Sequence, residues 1–299
     1  MKRTGLDELN AVVAVAAHRS FRAAAAALGL SPSALSHAIS ALEQRMGVRL
    51  FHRTTRSVAL SAAGEQFLSR VQPALRDIAA AMESVNQFRD TPTGTLRINL
   101  SLGAARMLLV PVVLRFLARY PEMQVDLVSN DRMVDIVAEG FDAGIRQLDA
   151  VPQDMIAVPC TPDLRFAVVA SPQYWQGRAK PRTPGDLLSH TCIRARLPSG
   201  APYRWEFEKH GEAVSIDVPG PLTLSQWELM VEAALHGVGV AYASEWSVAA
   251  HLAAGRLERV LEDWTPPFPG LALYYPGHRH VPAGLRAFVE VVREVMREA

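Results

Sequence analysis

Ser33, Ser36, His37, Ser40 and Gln44 fall at helical spacing, and all are small or polar with no acid among them. On one helix face such a set can enter a major groove without clash or repulsion from phosphate, and it offers donors and acceptors to base edges. A helix that only completes a bundle more commonly carries Glu and Lys pairs there. Ser31-Pro32 heads the segment as N-cap and first helical residue. Just beyond it Arg53 and Arg56 flank a polar turn. Two guanidiniums there suit a phosphate backbone or a minor groove.

Three short helices must position these groups. Leu6, Leu9, Val13 and Ala16 make one apolar stripe. Ser20 can cap an alanine-rich helix over Phe21–Leu28, which Gly29 ends. Leu35, Ile39, Leu42 and Met46 line the third helix, and Gly47 closes it. Two helices joined by a short Gly-containing turn form a helix-turn-helix. Leu50 and Phe51 can pack beneath the bundle, while Val58 and Leu60 alternate as a strand does, so the polar turn reads as a β-wing. Residues 1–61 hold eight Lys/Arg against three acids, a balance of +5, and the remaining 238 residues carry −4. A basic head on a mildly acidic body points to a polyanion partner for the head.

The run from Ala11 to Gly64 resembles the LysR-type transcriptional regulators. The resemblance rests on Phe21-Arg22-Ala23-Ala24-Ala25, Leu28, Ser31-Pro32-Ser33-Ala34-Leu35-Ser36, Ile39 and Leu42-Glu43. It continues through Gly47-Val48-Arg49-Leu50-Phe51, Arg53-Thr54-Thr55-Arg56 and Ser61-Ala62-Ala63-Gly64. It implies a winged helix-turn-helix over 1–61 in which residues 31–46 read promoter DNA. Ser31, Pro32, Ser33, Ser36, His37, Ser40, Arg53 and Arg56 are the expected DNA contacts. The family often has Arg where this chain has His37. Neutral His offers one donor at most, so base preference stays open.

Ser61 can cap a following helix, although Gly64 leaves no capping box. Leu68, Val71, Leu75, Ile78, Met82 and Val85 recur at 3, 4, 3, 4, 3, as a coiled-coil seam does. The alternative is an amphipathic helix packed on its own domain. Pro73 falls inside it and predicts a kink. In the resembling family this linker, here 62–90, pairs two subunits. That implies a dimer, commonly a tetramer, on an inverted-repeat site, with RNA polymerase as a further candidate partner.

Residues 89–94 make a polar Pro/Gly break, and the chain then alternates strand-like and helix-like runs. Strands are expected over Thr95–Leu100, Gln124–Val128, Ala143–Arg146, Leu164–Ser171, Gly237–Ser244 and Leu271–Tyr275. Helices are expected up to Tyr120 with Pro111 opening the regular part, over Met133–Glu139, and from about Pro282. The alternation predicts α/β with mostly parallel sheets. Gly94-Thr95-Leu96-Arg97-Ile98, Phe116 with Tyr120-Pro121, Phe141-Asp142-Ala143-Gly144-Ile145-Arg146 and Gly237-Val238-Gly239-Val240-Ala241-Tyr242 extend the resemblance. It implies a bilobed, periplasmic-binding-protein-like regulatory domain over 91–299. Lobe I takes about 91–162 and 267–299, lobe II about 163–266, with crossings near Thr161–Leu164 and Thr265–Phe268. Val260-Leu261-Glu262-Asp263-Trp264 and Leu273-Tyr274-Tyr275-Pro276 are similar to a populous subgroup that includes PgrR and CrgA.

A small-molecule effector is implied between the lobes. Strand ends facing that junction are the candidates: Ser101, Ser129 and Arg146, then Ser225 and Gln226 before a helix start, and Ser199 in a Ser-Gly turn able to close over a ligand. Arg146 leans the site toward an anion. Its alternatives are salt bridges with Asp142 or Asp149, and serines before helices are also common caps.

Other chemistries are poorly served. Cys160 and Cys192 are too few for a disulfide framework or a structural zinc site. They leave a redox-sensing regulator as an alternative. His278 and His280 flank Arg279 with no carboxylate or third His near, so no metal is expected. The sequence contains no GxSxG, HExxH, phosphate loop or CxxC, so neither an enzyme nor a cofactor is expected. A bilobed binding protein without DNA function would leave the basic head unexplained. At 299 residues and 49% apolar the chain is long enough for two cores. No apolar run approaches the roughly 18 residues of a membrane span. The start Met1-Lys2-Arg3-Thr4-Gly5-Leu6-Asp7-Glu8 brings acids where a signal peptide needs its apolar stretch. A cytoplasmic location without membrane contact is the expectation.

Overall fold

The apolar residues of the first fifty positions close on one another, but on the first helix the buried line is Ala11, Val12 and Val15 rather than the expected Leu6, Leu9, Val13 and Ala16, of which Leu6 is exposed and the others half-buried. Helix α1 (Leu6–His18), α2 (Phe21–Ala27) and α3 (Pro32–Met46) bury Val12, Val15, Ala24, Ala25, Leu35, Ile39 and Leu42 in one core. Ser20 and Ser31 cap α2 and α3 by accepting from the Ala23 and Ala34 amides, and Gly47 ends α3 in the left-handed region. Strands β1 (Phe51–Arg53) and β2 (Val58–Leu60) pair antiparallel, with Leu50 and Phe51 buried against the helices. Helix α4 (Ala62–Ser84) follows, its first turn held by Ser61, whose hydroxyl donates to the Arg49 carbonyl and accepts from the Gly64 amide.

The chain divides into two compact units, Met1–Arg89 and Asp90–Ala299, and the computed structural model describes residues 5–53, 58–84, 91–277 and 281–298. Arg56, Val85 and the His278–His280 run lie outside the described residues, as does the side chain of Met82.

The second unit opens with β3 (Gly94–Leu100), α5 (Leu102–Leu108), α6 (Arg115–Arg119), β4 (Met123–Ser129), β5 (Ala143–Gln147) and β6 (Met155–Pro159). A crossing leads to β7 (Phe166–Ala170), α7 (Pro172–Trp175), β8 (Ile193–Ala195), β9 (Trp205–Lys209), β10 (Glu212–Ile216) and β11 (Leu222–Leu224). Then come α8 (Trp227–Leu235), β12 (Ala241–Ser244), α9 (Glu245–Ala253) and β13 (Glu258–Val260), before the chain returns to β14 (Leu271–Pro276) and α10 (Ala283–Glu298).

Two cores result. The first gathers around a five-stranded sheet of order β4-β3-β5-β14-β6, covered by α5, α6 and α10. The second surrounds β12-β7-β13. Strand β7 is apolar throughout and buried on both faces: Val168 and Ala170 point into one cluster, Ala167 and Val169 into the other. Leu164 and Phe268 exchange both backbone hydrogen bonds, at 2.9 and 2.8 Å, and so tie the outgoing and returning crossings together. Gly270 belongs to this close approach, since a Cβ there would stand 2.1 Å from the Pro162 carbonyl oxygen.

Four further expectations need correction. The sheets are mixed rather than mostly parallel: β3 runs parallel to β4 and β5, and β8 to β11, but β14, β12, β13 and the β9–β10 hairpin pair antiparallel. Met133–Glu139 is not a helix. The Asp135 carboxylate takes the Val137 and Ala138 amides, and one turn ends at Gly140 with φ +76°. Pro111 does not open a helix either, because the helix starts at Leu102 under the Ser101 cap. Pro111 sits in a wide π-type stretch, Leu109–Leu114, where its missing N–H is accommodated. The strand foreseen over Gly237–Ser244 begins only at Ala241, since Gly237 adopts φ +73° in the turn ending α8.

Candidate DNA-binding face and ligand cleft

In the head, the axes of α2 and α3 turn by 105° across a short connection, within the range of helix-turn-helix pairs. Burying Leu35, Ile39 and Leu42 turns the opposite face of α3 outward, and Ser31, Pro32, Ser33, His37 and Gln44 are exposed while Ser36 and Ser40 are half-buried. Arg53, foreseen as a DNA contact, has partners of its own within the head. It does not hold its guanidinium free beside the wing. One terminal nitrogen donates to Ser36 Oγ (3.1 Å), the other to Glu43 Oε2 (3.0 Å), and the group lies 4.4 Å from the Phe21 ring centre. Glu43 in turn accepts the Leu50 and Phe51 amides at 2.8 and 3.1 Å. Arg53 and Glu43 therefore fasten the first wing strand to the outward-facing helix. The structural role of Glu43 was not foreseen, although it is the sole acid in α3 and belongs to the Leu42-Glu43 pair that carries the resemblance.

Along α4, Leu68, Val71 and Leu75 are half-buried and Ile78 is exposed, so the stripe keeps apolar surface within a single chain.

In the second unit, β3, β4 and β5 end together. Ser101 follows β3, Ser129 ends β4 opposite Leu100, and Arg146 lies in β5. The Ser101 hydroxyl is spent as a cap on the Ala104 amide. Arg146 makes no ion pair with Asp142 or Asp149 among the described residues. It donates to Asn99 Oδ1 (2.6 Å) and to the carbonyls of Ile145 (2.7 Å), Asn130 (2.9 Å) and Arg132 (2.8 Å). Burial pulls its pKa below the ordinary guanidinium value, with Tyr274 and Asp131 acting against that. Arg146 thus stitches the segment after β4 to the sheet.

On the facing lobe, Ser225 and Gln226 are exposed just before α8. A Cβ on Gly103 would stand 4.0 Å from Glu228 Oε1, so the first turns of α5 and α8 confront each other across the junction. The Ser199 turn is stitched by Gly200 N–H to Leu197 O, Leu197 N–H to Ala201 O and Arg196 to Gly200 O.

A cleft of about 740 Å³ has a wall that combines Gln147 and Asp149 of the first lobe with β9, β10, Trp227, Tyr242 and the returning crossing Thr265–Phe268. None of the six foreseen ligand residues lines it. Their chain neighbours do: Gln147 beside Arg146, Trp227 beside Gln226, and Leu197 two before Ser199. Six aromatic side chains dominate the wall. Phe166 stacks between Tyr242 and Phe268 at 4.5 and 4.9 Å, and Tyr203 meets Trp227 edge-on at 5.4 Å. Tyr203 donates to Glu206 Oε2 (3.3 Å) and Tyr242 to the Glu206 carbonyl (2.6 Å). Burial, and next the charge on Glu206, push the Tyr203 phenol up, so it stays a neutral donor; burial also raises Tyr242. The missed residues had a readable signal in the β9–β10 hairpin. Trp205 and Phe207 alternate with Glu206 and Glu208, and His210-Gly211 both take positive φ in its tight turn. A smaller hollow of about 440 Å³ on the second lobe, at His236, His251 and Arg256, takes no wall from the first.

Cys160 and Cys192 are buried and free, and burial pushes each thiol up to about 12. That is the opposite of the lowered pKa a peroxide-sensing thiolate needs. Among the described residues no cluster of His, Cys, Asp or Glu could hold a metal ion, and no single helix is long and apolar enough to cross a membrane.

Residues 6–65 match the family described as bacterial regulatory helix-turn-helix protein, lysR family, and residues 89–297 match the LysR substrate binding domain. The chain belongs to the LysR family of transcription regulators. It is a LysR-type regulator with a helix-turn-helix and a substrate-binding domain, and its family is one of regulators rather than enzymes. It is 44% identical over 291 residues to the uncharacterised HTH-type transcriptional regulator YcaN of Escherichia coli, covering 97% of this chain and 95% of that one. It is 39% identical over 291 residues to the HTH-type transcriptional regulator PgrR of the same organism, covering 97% of each. Among solved structures, CrgA, a LysR-type regulator from Neisseria meningitidis, aligns over 98% of this chain and 99% of that one at TM-score 0.59 and 28% identity. The full-length Vibrio cholerae virulence activator AphB covers 97% and 99% at TM-score 0.68 and 23% identity, a likeness of fold alone.

Proposed function

We propose that this LysR-family regulator binds an inverted-repeat site in double-stranded promoter DNA as a dimer, assembling further into a tetramer, and that a small molecule in the interlobe cleft modulates it. The carrying observation is the outward face of α3, acid-free at Ser33, His37, Ser40 and Gln44 and presented by a 105° helix-turn-helix. Ser31, Pro32, Ser33, His37 and Ser40 read or approach the major groove in this proposal, with Ser36 held by Arg53 and Arg56 on the phosphates. One recognition helix contacts few bases, so a two-fold pair joined through Leu68, Val71, Leu75, Ile78, Met82 and Val85 doubles the site. A ligand shifts the balance of two lobe arrangements only as far as it binds them unequally. RNA polymerase is the natural recipient of the altered DNA complex.

Selection of duplexes from a random-sequence pool by the full-length chain tests this reading. The expected result is enrichment of two half-sites in inverted orientation at fixed spacing, bound by a species of dimer mass or its multiple in sedimentation. Enrichment of a single half-site, or no enrichment, overturns it.

A further inference from the structure

We propose that the interlobe cleft selects an organic cation, an amine or quaternary ammonium carrying an apolar body, rather than an anion. The inference names the ligand class of the regulator proposed above and rests on that reading only for its effect on DNA. The charged side chains of the wall are all carboxylates: Asp149 from one lobe, Glu206 and Glu208 from the other, with no Lys, Arg or His lining it.

These three make no ion pair among the described residues, whereas other acids of the second lobe do: Asp217 with Arg194, Glu245 and Glu262 with Arg259, Glu258 with Lys180, Asp263 with Lys209. Five acids of the second lobe are thus paired with its own cations, while the three of the wall are not. The cations that touch the wall are engaged with its backbone or hydroxyl groups. Arg165 and Arg259 donate to Thr265, and Arg204 donates to the Ser215 carbonyl.

The rest of the wall suits the same ligand. Trp227, Tyr203, Phe166, Tyr242 and Phe268 supply aromatic surface whose negative ring faces attract an ammonium or guanidinium and whose area covers an apolar body. An anion finds the reverse, three like charges and no free cationic donor. Arg146, the residue that pointed to an anion in the sequence, is outside the wall and committed to Asn99 and three carbonyls.

The test is calorimetric titration of the full-length chain with three probes of one shape and different charge: benzyltrimethylammonium, benzyl alcohol and benzoate. The expected result is saturable binding of the cation at least about tenfold tighter than the alcohol, with benzoate weakest. An Asp149→Asn, Glu206→Gln double variant, chosen because each change keeps size and hydrogen-bonding capacity, should lose about that tenfold for the cation and nothing for the alcohol. Trp227→Leu should weaken the cation and the alcohol together. No saturable binding of the cation, equal affinity for all three probes, tighter binding of benzoate, or a folded double variant with unchanged cation affinity overturns the proposal. Selective cation binding that leaves affinity for the selected DNA unchanged upholds the ligand class and sinks the regulatory reading.

Discussion

Arg53 commits its terminal nitrogens to Ser36 and Glu43 and its plane to Phe21, which makes it a fastener within the head before any DNA arrives. Position in the sequence suggested a phosphate contact; the partners argue otherwise, because a guanidinium already paired releases few counterions on binding. Replacing Arg53 by Ala should lower the stability of the chain by about 1 kcal/mol, the scale of a partly exposed ion pair with a cation–π contact. It should weaken DNA binding through a loosened wing while leaving the salt dependence unchanged. The measurement is the slope of log affinity against log salt for wild type and variant. A slope reduced by about one would return Arg53 to the phosphate contacts. Arg146 teaches the same lesson. Its charge marked it as a ligand group, and its hydrogen bonds show it holding Asn99 and the segment after β4 in place.

Between elements, one tight constraint is Gly64. A Cβ there would stand 2.1 Å from the Leu50 carbonyl oxygen, which also accepts the Ser61 amide, so α4 can start only if residue 64 lacks a side chain. Gly64→Ala should cost about 2–3 kcal/mol despite alanine's better helix propensity, as overpacking against backbone does. A thermal or urea melt of the full chain reads this, and an unchanged or raised stability would mean that α4 can shift freely. The lobe-I sheet has its own fastening, Arg115 on Glu298 and Arg119 on Glu294, both bidentate, clamping α6 to α10. Hydrogen bonds from these arginines hold the two glutamates below the ordinary carboxylate value. A folded pKa depressed in this way contributes stability above the unfolded value of about 4.3 and loses it as pH falls through the folded value. The melting temperature should therefore drop as pH falls below about 4.3, and an Arg115→Gln, Arg119→Gln variant should drop less steeply over the same window. Parallel curves would show that these pairs contribute nothing there.

For the molecule as a whole, what the sequence disclosed follows the range of the forces involved. Helices with a 3.6 period, their Ser caps and the all-apolar strands such as β7 are local patterns, and they were legible. The two crossings came from the family resemblance rather than from local pattern, and Leu164 and Phe268 pair between them. The cleft wall was not legible, because Phe166, Tyr203, Trp227, Tyr242 and Phe268 come from five separate stretches that only the fold assembles, and aromatic residues in strands read first as core. Of the strand ends and turns named in the sequence, Arg146, Ser225, Gln226 and Ser199 lie within two residues of the wall, while Ser101 and Ser129 do not. The cleft and the head belong to different units, and this allows a test that needs no knowledge of the path between them. If the cation changes DNA affinity by some factor, bound DNA must change cation affinity by the same factor, since both complete one thermodynamic cycle. Titrating benzyltrimethylammonium into the free chain and into its complex with the selected duplex should give a ratio of dissociation constants equal to the ratio of DNA affinities measured without and with saturating cation. For ordinary allosteric coupling that ratio lies in the range of about 5–150-fold. Unequal ratios would mean that the probe also acts at the protein–DNA interface or on the oligomeric state, and the cleft would then not be the single source of control.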